Sequence, residues 1–89
     1  MKGRSIKERT TYASKMLTES RLQAGISQMN LAYMAEMDLR GYQRVEVGET
    51  ALGNTRLKYG LALCAILGID PYMIVFQQDR ESLKKSLLE

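Results

Sequence analysis

The chain has 89 residues, enough for one domain, and its 45% apolar and 26% charged residues are typical of a globular protein. A single cysteine, Cys64, excludes an intramolecular disulfide, and the lack of histidine excludes a structural zinc site of the usual Cys/His type. No apolar run approaches the ~20 residues that span a bilayer, and no signal peptide is recognisable. We therefore expect one cytoplasmic domain over residues 1–89, with a core over about residues 6–76, a tail over 77–89, and no metal or other cofactor.

The net charge of +3 is concentrated in the first half of the chain. Residues 1–46 contain eight Lys or Arg and five Asp or Glu, a net of +3, whereas residues 47–89 contain five of each. The excess is greatest near the N-terminus, in a basic cluster made of Lys2, Arg4, Lys7 and Arg9. An uneven basic charge is typical of proteins that bind phosphates. A solvated terminus that binds nothing fits this cluster as well as a DNA-binding arm does.

The first predicted helix covers residues 6–24. Small or apolar residues recur there at spacings of three and four, which gives the helix one inward face. Gly25 follows in the position where a helix favours a residue that tolerates positive φ, so the helix is predicted to end there. The predicted inward face consists of Ala13, Met16, Leu17, Ser20 and Ala24.

Two shorter helices follow. Ser27 predicts a second helix over residues 28–35, because its side chain can accept a hydrogen bond from an unpaired backbone N–H at the helix start. Asp38 is an equally good N-cap and predicts a third helix over residues 39–47, which Gly48 ends.

The remaining chain predicts two more helices and a polar tail. A loop over residues 48–54, with glycine near both ends, precedes a fourth helix that is capped by Asn54 or Thr55 and ended by Gly68. Pro71 stands at the first position of a short fifth helix, where its missing N–H costs nothing. The predicted inward face of the fourth helix consists of Leu57, Leu61, Cys64 and Leu67.

The second and third predicted helices have the features of a helix-turn-helix unit. The two helices of such a unit cross closely, which requires a small residue at the crossing, and Ala32 supplies it. The short connection must bury an apolar side chain, and Met37 supplies it.

The third predicted helix has one apolar and one polar face. Tyr42 and Val45 are three residues apart and are predicted to be buried together. Arg40, Gln43 and Arg44 lie on the opposite face and are predicted to be free for an external partner. A solvated helix face that binds nothing is the alternative interpretation of these three residues.

Many residues have the identity and spacing that are typical of one protein family. In the first three predicted helices and at the Gly48 that ends them, these residues are Leu17, Arg21, Gly25, Ile26, Ser27, Gln28, Leu31, Ala32, Met37, Asp38, Val45, Glu46 and Gly48. After the loop they are Leu57, Leu61, Leu67, Gly68, Ile69, Asp70 and Pro71. In these residues the sequence resembles the lambda-repressor-like (Cro/repressor type) helix-turn-helix family, over about residues 17–75. The resemblance implies an all-α, five-helix DNA-binding domain followed by a short C-terminal tail.

The resemblance also implies roles for particular residues. Gln28 matches a glutamine that contacts phosphate and supports the recognition helix, and Arg21 and Glu46 match a buried ion pair between the first and third helices. Positions that read bases in the family fall on Leu39, Arg40 and Arg44. The predicted DNA-binding residues are Gln28, Asp38, Leu39, Arg40, Gln43 and Arg44.

The side chains of the third helix suit base recognition for independent chemical reasons. An arginine such as Arg40 or Arg44 can donate two parallel hydrogen bonds to O6 and N7 of guanine, and a glutamine such as Gln43 can pair with adenine. Leu39 can contact a thymine methyl group. Phosphate contacts, in contrast, fix the register of a protein on DNA without reading its sequence.

Three residues depart from the family pattern. Glu36 occupies a turn position that is usually glycine, and glutamate adopts positive φ less easily. Gly41 lies inside the recognition helix, where glycine costs ~1 kcal/mol relative to alanine. Tyr42 replaces a residue that is usually isoleucine or valine. These departures concern the placement of the recognition helix and not the fold.

A homodimer is expected because residues 72–76 are apolar on all sides of the predicted fifth helix, and so small a monomer cannot bury them all. The predicted dimer interface consists of Tyr72, Met73, Val75 and Phe76, with Leu83 and Leu87 as further candidates.

We therefore expect a sequence-specific transcriptional regulator, of the phage, mobile-element or restriction-controller repressor type, that binds a palindromic operator in double-stranded DNA as a dimer. The alternative is an antitoxin or another interaction module whose main partner is a protein. An enzyme is not expected, because the sequence has no histidine, no glycine-rich phosphate loop and no recognisable pair of carboxylates on one apolar face.

Overall fold

The computed structural model describes residues 11–89, and every regular element in this part of the chain is helical. The α-helices are α1 (Tyr12–Ala24), α2 (Gln28–Met34), α3 (Leu39–Glu46), α4 (Leu57–Leu67), α5 (Pro71–Phe76) and α6 (Arg80–Leu88). A short 3-10 helix, Leu52–Asn54, lies between α3 and α4. The prediction of an all-α chain is therefore confirmed for these residues. The predicted basic cluster of Lys2, Arg4, Lys7 and Arg9 lies outside them.

The N-terminal boundary of α1 differs from the prediction. Helix α1 begins at Tyr12, because Thr11 has extended backbone and forms a reciprocal cap with Ser14. Residues 6–10 of the predicted helix lie outside the described residues. The Ser14 N–H donates to Oγ1 of Thr11 over 3.1 Å, and the Thr11 N–H donates to Oγ of Ser14 over 2.8 Å. Gly25 ends α1 in the left-handed conformation, with φ of 72°, as predicted.

The caps of α2 and α3 agree with the prediction, and α5 has a cap of the same kind. Ser27, Asp38 and Asp70 each accept a backbone N–H of their helix. The fourth helix differs, because it begins after Arg56 without a side-chain cap. Neither predicted cap serves it. Asn54 belongs to the 3-10 helix, and the Thr55 hydroxyl donates backwards to the carbonyl of Ala51 over 3.3 Å.

The predicted tail contains a helix of its own, so the described residues form six α-helices where the sequence predicted five and a tail. Asp79 caps α6 by accepting the N–H of Ser82 over 2.7 Å. No residue of α6 is buried. The helix therefore contributes nothing to the core of the chain that carries it.

The core is formed by residues from each element between α1 and α5 in chain order, both helices included. Its buried apolar residues are Leu17, Leu31, Ala32, Ala35, Tyr42, Val45, Leu52, Leu63, Cys64 and Ile74. Cys64 is thus a small core residue, as predicted. The predicted face of α4 is wrong in part, because Leu57 is 74% and Leu61 45% exposed. Leu63 and Cys64 form the buried side of α4, while Leu57 and Leu61 lie along its border with α5.

The four residues 35–38 join α2 to α3, and α2 packs against α3. Ala32 is buried, and Met37 in the connection packs partly buried against the core. The Met37 N–H donates to the Ala32 carbonyl over 2.8 Å. Glu36 has φ of 60° and so adopts the left-handed conformation that favours glycine. No helix among residues 11–89 combines the length and the apolar character that crossing a membrane requires.

The strained turn leads to a first prediction. Glu36→Gly should raise the free energy of unfolding by ~0.5–1 kcal/mol, because it relieves the left-handed strain of a side chain and costs some backbone entropy in return. Gly25→Ala is the matched control. An added Cβ there meets no atom within 4 Å, so only the strain at φ of 72° opposes it, and stability should fall. Urea unfolding of the three proteins measures both changes. A loss of stability in Glu36→Gly would contradict the prediction.

Candidate nucleic-acid interface

A buried ion pair connects α1 to the end of α3. Nε of Arg21 donates to Oε1 of Glu46 over 2.8 Å, and a terminal guanidinium nitrogen donates to Oε2 over 2.9 Å. The side chains are 11% and 7% exposed. The second terminal nitrogen of Arg21 donates to the carbonyl of Ile26 over 2.9 Å, at the entry to α2. The pair that the resemblance implied is therefore formed, and it also fixes the connection between α1 and α2.

The Glu46 carboxylate accepts two further hydrogen bonds. The Tyr42 hydroxyl, one turn earlier on α3, donates to Oε1, and the Gln28 amide donates to Oε2 over 3.1 Å. Burial by itself raises the pKa of Glu46, but the hydrogen bonds from Arg21, Tyr42 and Gln28 outweigh it and hold this pKa below its ordinary value. Burial and the bond to Glu46 raise the pKa of Tyr42, so its hydroxyl remains a donor at neutral pH.

Gln28 extends this hydrogen-bonded group to the protein surface. Its amide oxygen accepts from the side-chain amide of Gln43 over 3.1 Å, while its nitrogen donates to Glu46. Gln43 is exposed on α3, and Gln28 is half-buried at the start of α2. An exposed side chain of α3 is thereby connected through one glutamine to the buried ion pair.

The exposed side of α3 borders a shallow cleft of about 380 Å³. Its lining residues are Gln28, Arg40, Gln43, Arg44, Val47 and Glu49. Arg40 and Arg44 are one helical turn apart and exposed, and among residues 11–89 neither forms an ion pair. The structure thus brings four of the six predicted DNA-binding residues together around one cleft.

The other two predicted DNA-binding residues make contacts within the protein. The Asp38 carboxylate accepts the N–H of Gly41 over 3.2 Å and caps α3. Leu39 is partly buried and packs against the core, and it does not line the cleft. The structure has room for a larger residue at position 41. A Cβ added to Gly41 would meet its nearest neighbour, Cβ of Asp38, at 3.9 Å, which is an ordinary van der Waals distance.

The predicted dimer residues do not line the cleft beside α3. Tyr72, Met73, Val75 and Phe76 are 37–50% exposed, whereas Ile74 between them is 1% exposed. Tyr72, Val75 and Phe76 line a mainly apolar groove of about 430 Å³ between α4 and α5. Sequence reasoning missed that Leu57 and Leu61 also line this groove. Their helical spacing was noted, but it was interpreted as core.

The hydrogen bond from Tyr42 was also missed at the sequence level. Tyr42 was predicted to be buried with Val45 and noted as a departure from the family pattern, but no partner for its hydroxyl was predicted. Its spacing of four residues from Glu46 places both side chains on one side of a helix. Among residues 11–89 no group of three or more Asp, Glu, Cys or His side chains has the arrangement of a metal site.

Comparisons of the chain with protein-family models, with curated proteins and with solved structures gave no match. Membership of the lambda-repressor-like family therefore stays a prediction.

The buried ion pair yields a second prediction. Arg21→Ala should lower the free energy of unfolding by ~2–4 kcal/mol, because it leaves a buried carboxylate without its charged partner. Arg44→Ala is the control, since this exposed arginine forms no ion pair among the described residues and its loss should change stability by less than ~0.5 kcal/mol. Chemical denaturation of both variants tests the prediction. An Arg21→Ala protein as stable as the wild type would contradict it.

The lowered pKa of Glu46 yields a third prediction. Because ionised Glu46 favours the folded state, its contribution to stability is complete above the ordinary carboxyl pKa of 4.5 and is lost as the pH falls through the lower pKa of the folded state. Stability measured by urea unfolding should therefore decrease below pH 4.5 in the wild type. Glu46→Gln should show a smaller decrease over the same pH interval. Equal decreases in the two proteins would remove Glu46 as a source of the acid sensitivity.

Proposed function

We propose that this protein is a sequence-specific DNA-binding transcriptional regulator in which α2 and α3 act as a helix-turn-helix and α3 is the recognition helix. The observation that carries the proposal is the two-sided character of α3. One side is held inside the protein by Tyr42, Val45 and Glu46, while Arg40 and Arg44 are exposed on the other.

The free side of α3 has the chemistry that base recognition needs. A guanidinium such as that of Arg40 or Arg44 matches the two acceptors of guanine in the major groove, which is wide enough to admit a helix. Glu49 also lines the cleft, but neither arginine forms an ion pair with a carboxylate among the described residues, so both keep donors for an external acceptor. The Gln43 amide, which uses one N–H on Gln28, keeps a second donor and an oxygen for a base.

The buried hydrogen bonds support the same proposal. Recognition of bases requires side chains that are positioned before binding, because ordering them on contact costs free energy. Arg21 holds the end of α3, and Gln28 holds Gln43 through a hydrogen bond of 3.1 Å. Gln28 has one N–H left for a phosphate oxygen, so it can fix the register of the protein while it supports the recognition helix.

We further propose that two copies bind a palindromic operator, with the exposed residues of α5 at their contact. Tyr72 and Phe76 are among the large apolar side chains that one copy leaves in water. Two copies of a recognition helix read half-sites about one helical turn, or 34 Å, apart. The resemblance of residues 17–75 to lambda-repressor-like proteins supports a repressor of the phage, mobile-element or restriction-controller type.

Selection of bound fragments from a random DNA pool, at two salt concentrations, tests the proposal. A two-fold symmetric motif, with affinity that falls steeply as salt rises, is the expected result, because phosphate contacts release counterions. A pool without any motif, and weak binding at low salt only, would overturn sequence-specific recognition.

A fourth prediction assigns the specificity to α3. Arg40→Ala and Arg44→Ala should each weaken binding to the selected operator by ~1–3 kcal/mol and relax the preference at one base pair. Folding should be unchanged, since both residues are exposed. Arg56→Ala is the matched control, because it removes the same charge from an exposed residue that does not line the cleft. Equal losses in all three variants would indicate general charge attraction in place of base reading.

A protein partner is the second candidate function, and the outer side of α2 favours it. Met29 and Tyr33, one helical turn apart, are 64% and 82% exposed, and Met34 beside them is 46% exposed. Large apolar side chains grouped in this way are common at contact surfaces. An antitoxin or a similar interaction module would use them and would give no motif in the selection experiment.

A further inference from the structure

We propose that α6 of one copy docks in the groove between α4 and α5 of a second copy, and that the second copy returns the same contact. The two chains would then be joined by exchanged C-terminal helices. This inference deepens the proposed homodimer and rests on it, but it does not depend on DNA binding. Two independent observations carry it: among residues 11–89 no segment fills the groove, and no residue of α6 is buried.

The groove is lined by apolar side chains that one copy leaves in water. Leu57 is 74%, Leu61 45% and Phe76 50% exposed, and Tyr72 and Val75 are each 37% exposed. Buried Leu52 and Cys64 also line it. Its volume of about 430 Å³ gives room for several side chains.

Helix α6 is short and packs against little. Isolated helices below ~12–15 residues are marginal in water, so the nine residues of α6 need an additional contact to remain helical. Leu83 and Leu87 are one turn apart on one side of the helix; Leu83 is partly buried, and Leu87 is 73% exposed. Lys85 lies on the opposite side. The helix is therefore amphipathic, with an apolar stripe that suits an apolar groove.

A second copy fits this geometry better than the chain's own helix. Only three residues separate α5 from α6, and no residue of α6 lines the groove of its own chain. In a two-fold dimer each copy supplies one groove and one helix, so both contacts form together and the assembly closes.

Both contacts would remove strongly exposed apolar side chains from water. Leu57 of the groove and Leu87 and Leu88 of α6 are each 73–75% exposed, and Leu61 and Phe76 of the groove are 45–50% exposed. Burial of apolar surface is the main favourable contribution to most protein association.

The test uses the full-length chain without DNA and compares three proteins by sedimentation. The wild type should be dimeric at micromolar concentration. Leu87→Lys should weaken the dimer by at least tenfold, because it places a charge in the apolar groove. Leu22→Lys is the matched control, since Leu22 is 63% exposed on α1 and lies outside the groove. Circular dichroism should show that both variants fold.

Mixing two defective chains distinguishes exchange between copies from folding back within one chain. Leu61→Asp, which changes the groove, should also weaken the dimer. A mixture of Leu87→Lys with Leu61→Asp should recover affinity near that of the wild type. One contact in the mixed dimer is then unchanged, and the other joins a lysine to an aspartate. If α6 instead folded back into the groove of its own chain, each variant chain would keep its one defective contact. Mixing the two variants would then not restore the dimer affinity.

Three results would overturn the exchanged helices: a Leu87→Lys dimer as tight as the wild type, no recovery on mixing, or a monomeric wild type. A monomer would also remove the proposed homodimer but not DNA recognition, because a single copy would still select a half-site from the random pool. A dimer that behaves as described but selects no motif would overturn DNA recognition and leave the exchanged helices in place.

Discussion

The ion pair between Arg21 and Glu46 is the interaction on which the rest of this small structure depends. Two charges in a largely buried position are tolerated because each finds partners: the guanidinium reaches the Ile26 carbonyl as well as the carboxylate, and the carboxylate also accepts from Tyr42 and Gln28. Among the described residues no buried side-chain polar atom is left unpaired. A single satisfied group of hydrogen bonds therefore sets α1, the entry to α2 and the end of α3 relative to one another. Apolar packing alone is less directional and would specify this arrangement less strictly.

The same group of hydrogen bonds links the interior to the surface proposed to read DNA. Gln28 uses one end of its amide on Glu46 and the other on Gln43, so the side chain of an exposed residue is oriented by a buried charge. Tyr42 is fully buried and adds a donor where the related pattern has an aliphatic residue. The larger tyrosine both fills the core and contributes to the polar group at its edge, so the departure from the family pattern adds to the attachment of α3.

The exposed apolar side chains form two separate groups, and each group suits a different partner. Those of α4 and α5 line a groove of about 430 Å³, and together with the exposed leucines of α6 they favour a second copy of the chain. Those of α2 form a separate exposed group, with Tyr33 82% exposed. A domain of this length buries a modest share of its surface, so self-association is a direct way to remove apolar area from water. Contact with another protein through α2 and DNA binding through α3 are compatible, because the two sets of side chains do not overlap.

The sequence by itself determined the helical class and most helix ends, because Ser27, Asp38, Gly25 and Gly68 act on their own backbone within a few residues. It also predicted the pairing of Arg21 with Glu46, but only through a resemblance, since nothing in the residues between them fixes a contact across 25 positions. Only the tertiary structure decided which side of α4 is buried, because several leucines share its surface and packing against α1, α2 and α5 selects among them. The tertiary structure also decided the places of the predicted DNA-binding residues. Asp38 caps α3 and Leu39 packs against the core, whereas Arg40, Gln43 and Arg44 line the cleft. Local chemistry sets where a helix begins and ends, whereas the direction that each side chain faces depends on the neighbouring elements with which it packs.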